Sequence, residues 1–280
     1  MKHNLHPCVW YNGNAREAAG FYFSVFGNGK ITVDTPMVVK FELEDQLFMG
    51  LNAGPQFKPN ASISFFVVCE TDEEINSLWE KLCDGAEVMM PPDTYDWSER
   101  YGFLEDKFGL SWQLMKGNFK EVNQKITPSF LFVGEKFGKA AGAVQLYTKL
   151  FPGAAVNGIL LYGEDEGKEV AGTVKHAQFT LDGKVFMAMD GFGQHEYDFN
   201  EGVSIVVECK DQADIDFFWQ GLTADGGEES MCGWLKDSYG VSWQIIPAKL
   251  GEMMAGEKGE RAMQAMLKMK KLDIATLENA

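Results

Sequence analysis

The chain carries nearly the same passage twice. Gly102-Phe103-Leu104-Glu105-Asp106-Lys107-Phe108-Gly109-Leu110-Ser111-Trp112-Gln113 returns as Gly233-Trp234-Leu235-Lys236-Asp237-Ser238-Tyr239-Gly240-Val241-Ser242-Trp243-Gln244. Upstream, Ser64 to Leu82 returns as Ser204 to Leu222, with Val67/Val207, Cys69/Cys209, Ile75/Ile215 and Trp79/Trp219 in step. A repeat of this length requires two copies of one structural plan. The copies also control each other, because a residue that performs chemistry in one can be checked against its counterpart. Most catalytic candidates do not survive that check.

With 280 residues, each copy is long enough to build its own core. No apolar run approaches the ~18 residues of a membrane span, and Met1-Lys2-His3-Asn4-Leu5-His6-Pro7 has no apolar export signal, so a cytoplasmic protein is expected. The five cysteines, Cys8, Cys69, Cys83, Cys209 and Cys232, are odd in number and lack metal-hook spacing, which fits buried, reduced thiols. A net charge of −16 repels phosphate backbones and anionic lipid, so neither nucleic acid nor membrane is expected as a partner.

The repeat sets the expected boundaries: a first domain over 1–117, a linker over 118–125, a second domain over 126–247 and a helical tail over 248–280. Within the first copy, His6–Tyr11 reads as a strand. Asn14 is expected to cap a helix that ends at Phe26-Gly27. Short strands follow at Ile31–Val33, Val38–Leu43 and Leu47–Leu51, the last two joined at Glu44-Asp45. The matching turn in the second copy is Asp182-Gly183, a two-residue hairpin signal. Ile63–Cys69 reads as a buried strand, and Thr71-x-x-Glu74 as a capping box opening a helix through Leu82. Strands near Val88, near Phe103 and at Leu110–Met115 complete the copy, making it βαβββ-βαβββ. The tail is expected to be helical from about Gly259 to Leu272, with Ala262, Ala265, Met266, Met269 and Leu272 on one stripe.

Four βαβββ units of this length resemble the vicinal oxygen chelate superfamily, which includes glyoxalase I, extradiol dioxygenases and bleomycin-resistance proteins. Within it the chain is similar to the PhnB-like branch labelled 3-demethylubiquinone-9 3-methyltransferase. The motifs that carry the likeness are Gly50-Leu51-Asn52-Ala53-Gly54-Pro55, Ile63-Ser64-Phe65-Phe66-Val67-Val68-Cys69, the passage Gly233 to Gln244, and Met263-Gln264-Ala265-Met266-Leu267-Lys268-Met269-Lys270-Lys271-Leu272-Asp273-Ile274. The resemblance implies an α+β fold of tandem duplicated glyoxalase-like domains, their four βαβββ units forming curved mixed sheets with helices on the outer faces.

Metal enzymes of the superfamily place ligands on the first and last strand of each unit. The matching positions here are His6, about Gly50, near Ile63 (flanked by Ser62 and Ser64) and Gln113 in copy one. In copy two they are Thr127, about Ala188, about Val203 and Gln244. Divalent transition metals take anionic or imidazole ligands, and glutamine is a neutral, weak donor. No metal and no other cofactor is therefore expected; a metal, if bound at all, would sit at His6 with Gln113. The methyltransferase label has no support in a strand followed by a glycine-rich turn. Neither Gly134-Glu135-Lys136-Phe137-Gly138 nor Gly251-Glu252-Met253-Met254-Ala255-Gly256 has the spacing or the parallel-sheet context.

Strand alternation puts Trp112 and Leu114 on one face and Ser111, Gln113 and Met115 on the other, with Trp243, Ile245, Ser242, Gln244 and Ile246 following suit. If the tryptophan face packs under helices, Gln113 and Gln244 face the cavities, where an amide suits a ligand carbonyl or hydroxyl. His6, Cys8 and Trp10 alternate on the first strand, but the second copy has Thr127, Ser129 and Leu131 there. His176 shares a face with Gln178 and Thr180, and Asp190 and His195 flank a loop. The expected function is binding of a small, partly apolar molecule in a metal-free cavity, with Trp10, Ser111, Gln113, Met115, Ser242 and Gln244 as contacts. The alternative is a lyase, isomerase or transferase of the superfamily acting through His6 or His176. The expected partners are that small molecule and a second copy of the chain in a homodimer.

Overall fold

In the computed structural model, which describes residues 3–280, the two copies become four βαβββ units. The first comprises β1 (Asn4–Tyr11), α1 (Ala15–Phe26), β2 (Lys30–Asp34), β3 (Val38–Leu43) and β4 (Gln46–Asn52). The second comprises β5 (Ile63–Cys69), α2 (Asp72–Leu82), β6 (Glu87–Tyr95), β7 (Ser98–Glu105) and β8 (Ser111–Lys116). One short helix, α3 (Phe119–Val122), lies in the linker. The third unit is β9 (Ile126–Phe132), α4 (Ala140–Leu150), β10 (Ala155–Leu161), β11 (Val174–Leu181) and β12 (Lys184–Asp190). The fourth is β13 (Val203–Cys209), α5 (Gln212–Thr223), β14 (Glu228–Glu229), β15 (Trp234–Lys236) and β16 (Ser242–Pro247). The tail carries α6 (Leu250–Met253), α7 (Gly259–Met266) and α8 (Ile274–Glu278).

The strands form two eight-stranded mixed sheets, ordered β14-β15-β16-β13-β1-β4-β3-β2 and β10-β11-β12-β9-β5-β8-β7-β6. In every unit the first and last strands are parallel neighbours, as with β5 and β8, and the other pairs within a unit are antiparallel, as is β5 with β9 between the second and third units. The α+β class and the duplicated units follow the resemblance. Sheet membership, however, does not follow the copies: the first and fourth units share one sheet, and the second and third share the other. By contacts the chain divides into two compact units, Pro7–Val203 and Ser204–Ala280, the latter joined by the residues up to His6.

Local chemistry explains most element ends. Both hairpin turns have positive φ at their two central residues, Glu44 (49°) and Asp45 (59°), Asp182 (48°) and Gly183 (83°), which suits the twist of the flanking strands. Thr71 Oγ1 accepts the Glu74 N–H at 3.2 Å, capping α2. α1 stops at Gly27, whose φ is 77° and whose N–H donates to Phe23 O. Its start departs from the expectation: the Asn14 side chain makes no cap bond. Asn52, delivered by the neighbouring end of β4, accepts the Ala15 N–H at 3.0 Å instead. The tail helix also ends earlier than expected, at Met266. Beyond it the backbone is captured by the fourth unit: Cys232 and Gly233 N–H donate to Met269 O (2.7 Å) and Lys270 O (2.8 Å), and Leu272 is fully buried.

Within Pro7–Val203, one face of the strands carries a continuous aromatic core. Phe41 stacks on Phe48 (5.4 Å), Phe48 meets Phe65 (5.3 Å), Phe65 meets Trp112 (5.5 Å), and Tyr22 of α1 packs on Trp112 (5.4 Å). Phe130, Phe179 and Phe186 make a second stack against Tyr147 of α4. In the other compact unit, Phe218 and Leu222 of α5 are buried along with Trp243 and Ile245 of β16.

The repeated passage has a specific structural reason. Asp106 Oδ1 accepts the Phe108 and Leu110 N–H (2.8 and 3.1 Å), while Oδ2 accepts the Trp112 indole N–H (2.8 Å). Asp237 does the same for Tyr239, Val241 and Trp243, at 2.9, 3.1 and 2.8 Å. Gly109 and Gly240 turn the chain between, at φ 84° and 89°. Asp, Gly and Trp thus recur together because one carboxylate closes a tight turn and locks the tryptophan at its exit.

Candidate functional site

Pleating separates the two faces of β8. Trp112 lies beside Tyr22 and Phe26 of α1. The opposite face carries Ser111, Gln113 and Met115. On the strands alongside, the same face carries Ser64, Phe66 and Val68 of β5, Thr127 and Ser129 of β9, and Tyr101 and Phe103 of β7. Ser64, Ser111, Gln113, Thr127 and Ser129 form a polar floor on central strands, none more than 6% exposed.

The floor is organised around Gln113. Its Oε1 accepts the Tyr101 hydroxyl at 2.7 Å, and its Nε2 donates to Ser64 Oγ at 2.7 Å. An amide can accept twice and donate twice, so Gln113 keeps capacity for a further partner. Burial pushes the Tyr101 phenol above its ordinary pKa, with nearby Tyr95 and Tyr197 adding to the effect. Tyr101 therefore remains a neutral donor at physiological pH. Two further hydroxyls on this face, Ser111 Oγ and Ser129 Oγ, are buried without a hydrogen-bond partner among the described residues.

Above the floor stand Phe66, Val68, Tyr101 and Met187, with Met90, Tyr95, Phe103, Met115 and Val122 packed against them half-buried. At the rim, Trp97 is 54% exposed; it stacks on Tyr95 at 5.1 Å and meets Tyr101 edge-on at 6.0 Å. The segment Tyr95–Tyr101 is thus the tip of the β6–β7 hairpin, supplying an aromatic rim.

The fourth unit repeats the floor without the rim. Gln244 Nε2 donates to Ser204 Oγ at 3.0 Å, and Ser242 Oγ is buried without a partner among the described residues. The residue matching Tyr101 is Cys232, whose N–H and thiol are both engaged by the tail, at Met269 O and Met266 O. Nearby, buried His6 lies 4.0 Å from Glu208, which also accepts from Asn4 at 2.9 Å.

The structure gathers Gln113, Ser111 and Met115, and separately Gln244 and Ser242. β1, which carries His6 and Trp10, belongs to the other sheet from β8 and Gln113. The Trp10 indole N–H donates to Gly54 O at 2.8 Å, and its ring meets Phe57 edge-on. His176 is half-buried, its pKa lowered by burial, and lines a groove of about 340 Å³ with Asn157, Gly158, Ile159, Leu160 and Gln178. A second cleft, about 410 Å³, is lined by Glu70, Glu74, Lys125 and Lys184 among others; Lys125 there is tied to Val68 O and Glu74. Neither cavity includes Gln113. His195 Nδ1 lies 3.1 Å from the Tyr197 hydroxyl, whereas Asp190 works apart from it, as a brace for α4. Burial pushes the Cys69 and Cys209 thiols up to about 12, leaving them unreactive.

The metal site that the resemblance implies does not fit these residues. Pleating puts Ser64, not Ile63, on the face of Gln113. At Gly50, α1 presses so close that a Cβ would fall 2.8 Å from Ala15 Cβ. The floor donors are neutral hydroxyls and an amide, a set that suits neither zinc, nickel nor iron. Among the described residues no three His, Cys, Asp or Glu stand together as a metal-holding group. The methyl-donor cofactor suggested by the branch label fares no better. Its nearest counterpart is the passage from β9 through Gly134 and Gly138 into α4. There the N–H groups of Gly138 and Ala140 are already taken by Asp190 Oδ1, at 2.9 and 3.1 Å, where an anion would bind.

Sequence reasoning missed Tyr101, Ser64 and Ser129. The signal was present in the same alternation that picked out Gln113, applied to the neighbouring strands; the register between strands was not readable.

The family described as 3-demethylubiquinone-9 3-methyltransferase matches the chain twice, over residues 3–115 and 124–246. A PhnB protein of Bacillus cereus carrying the same methyltransferase description is 31% identical; the match covers 40% of this chain and 98% of that one, with a TM-score of 0.38. Glyoxalase I from Zea mays is 11% identical over 89% of this chain and 93% of its own, with a TM-score of 0.56, and its V278E mutant gives 0.58 over the same shares. These last two show the shared fold. No curated protein matches.

Proposed function

The chain belongs to the 3-demethylubiquinone-9 3-methyltransferase family, and from that premise we propose that it binds a small, planar, partly apolar molecule over the Gln113 floor, without a metal ion. The buried hydroxyls of Ser111 and Ser129 carry this reading. A buried polar group without a partner costs roughly 1–3 kcal/mol, a penalty that a ligand hydroxyl or carbonyl removes on binding. The apolar requirement comes from Phe66, Phe103, Met90, Met115 and Met187. Half-buried methionines adapt their shape to a guest, and Trp97 with Tyr95 offers ring faces at the rim. The family description names a demethylated ubiquinone, a planar ring bearing oxygens, which is the chemical class this lining suits. Binding is the proposal; no methyl transfer is derived from these residues. The same proposal places the protein in the cytoplasm, supported by five cysteines with no disulfide among the described residues. No described helix is long and apolar enough to cross a membrane.

The test is a calorimetric and fluorescence titration with 2-hydroxy-1,4-naphthoquinone, with and without a chelator. Saturable one-to-one binding, insensitive to the chelator and weakened on the order of tenfold by Gln113→Leu, is expected. Binding that appears only with an added divalent cation, or equal binding by Gln113→Leu, would refute the reading.

A further inference from the structure

The cleft of about 410 Å³ lies within the compact unit Pro7–Val203 and is large enough for a small molecule. The equivalent hairpin turns of the two copies both border it, one through Glu44, Asp45 and Gln46, the other through Gly183 and Lys184. Much of its polar lining is already engaged. Glu44 accepts the Asn28 side-chain amide at 2.6 Å. Glu74 accepts the Glu70 N–H at 2.8 Å and binds Lys125. The Gln124 amide is bonded in both directions to Val185, at 2.8 and 3.0 Å, which pins the linker to β12 and forms that wall before any ligand arrives. Three lining groups are not engaged. The carboxylates of Asp45 and Glu70 are exposed, and neither has an ion-pair or hydrogen-bond partner among the described residues. The third is the Gln46 side chain, only 5% exposed, which makes no hydrogen bond with any described residue. A buried amide left in that state is costly unless something entering the cleft bonds to it.

We propose that this cleft binds an aliphatic polyamine, with Gln46 bonding one amine and Asp45 and Glu70 pairing with its ammonium groups. Three observations favour that class. First, four carboxylates line the cleft against two lysines, Lys125 and Lys184, and the whole chain carries a charge of −16, so a cation is attracted and an anion repelled. Second, the carboxylates do not converge. Among the described residues no three His, Cys, Asp or Glu stand together as a metal-holding group. Charges spread around a cleft suit several ammonium groups held apart by a chain, whereas a compact divalent ion needs its oxygens on one point. Third, the acidic groups alternate with apolar surface: Val68 and the exposed ring of Phe119 also line the cleft. Methylene groups between ammonium groups pack on such surface, and an ammonium over an aromatic ring gains further.

Calorimetric titration of the full chain with spermidine tests this, in about 0.15 M salt so that diffuse attraction to the acidic surface is screened. One saturable site per chain is expected. Butylamine, which has a single ammonium group, and magnesium ion should each bind on the order of tenfold more weakly or not at all. Gln46→Leu and, independently, the exposed pair Asp45→Asn/Glu70→Gln should each weaken spermidine binding on the order of tenfold. Glu80→Gln removes a charge from an exposed position of α2 outside the cleft and should leave the binding unchanged. Circular dichroism identifies a variant that has lost its fold, in which case the other decides. No saturable binding below about 1 mM spermidine overturns the proposal. So does magnesium binding as tightly as spermidine, or a loss in the folded cleft variants no greater than that in Glu80→Gln.

Discussion

Replacing Asp106 by asparagine tests whether the repeated Asp–Gly–Trp turn holds the fold as described. The introduced amide would keep an oxygen for the Phe108 and Leu110 N–H groups, but would turn its NH₂ group toward the Trp112 indole N–H, now 2.8 Å from Oδ2. Trp112 is fully buried, so no water replaces the lost acceptor. A buried, unsatisfied donor costs roughly 1–3 kcal/mol, and losing the carboxylate charge weakens the two remaining bonds, for a total of about 2–4 kcal/mol. In a unit the size of Pro7–Val203 that is roughly 5–12 °C in Tm. Trp112→Phe removes the orphaned donor, so the Asp106→Asn/Trp112→Phe pair should lose about 1–3 kcal/mol less than the sum of its parts. The assay is urea and thermal unfolding by near-ultraviolet circular dichroism, with amide exchange at Phe108 and Leu110 as a local readout. Asp237→Asn with Trp243→Phe repeats the cycle in the second copy, where the distances are nearly the same. Strictly additive losses in both cycles, or a loss below about 0.5 kcal/mol for Asp106→Asn, would refute the reasoning.

Asp190→Ala removes the acceptor for the Gly138, Ala140 and Val174 N–H groups at once and should lower stability by about 2–4 kcal/mol, measured by urea unfolding. Gly202→Ala would put a Cβ 2.2 Å from Lys58 O, which is backbone and cannot swing away; a drop of at least about 2 kcal/mol, or no soluble protein, is expected. His176 has its pKa lowered by burial, so the unfolded chain binds its proton more readily than the folded one. Stability should therefore fall as pH drops below about 6.5, and His176→Gln should flatten that part of the pH–stability curve.

Short-range chemistry was readable in the sequence because its partners are close along the chain. The Thr71 cap, the Gly27 stop and the Glu44-Asp45 and Asp182-Gly183 turns each involve residues within a few positions of one another. The reading failed where the partner is remote. α1 starts on Asn52, 37 residues from Ala15, and no local pattern distinguishes that acceptor from Asn14. The end of the tail helix is set by Cys232 and Gly233 far upstream, which hold the backbone beyond Met266 in a non-helical path. Pairing of units across the copies is the same problem at larger scale, since identical strand patterns fit either arrangement. For the site, alternation along β8 placed Gln113 on the right face, but Tyr101 and Ser64 reach it only through the registers of β7 and β5, with Phe103 and Phe66 opposite Gln113.

The glutamines explain more about the site than their failure to bind metal. A carboxylate at 113 would sit on a floor where its neighbours are hydroxyls and apolar side chains, and a buried charge without a counter-ion costs several kcal/mol. The amide avoids that cost, and it accepts from the Tyr101 hydroxyl while donating to Ser64 in the same geometry. A carboxylate only accepts, so Ser64 would have to reverse its hydroxyl to donate. Gln244 with Ser204 shows the donating half of this arrangement alone, with the tail closed over Cys232 where the first copy has Tyr101. The two copies therefore share a neutral floor and differ in what stands over it. That difference directs the ligand proposal to the second and third units, where the tyrosine, the methionines and the exposed Trp97 rim are all present.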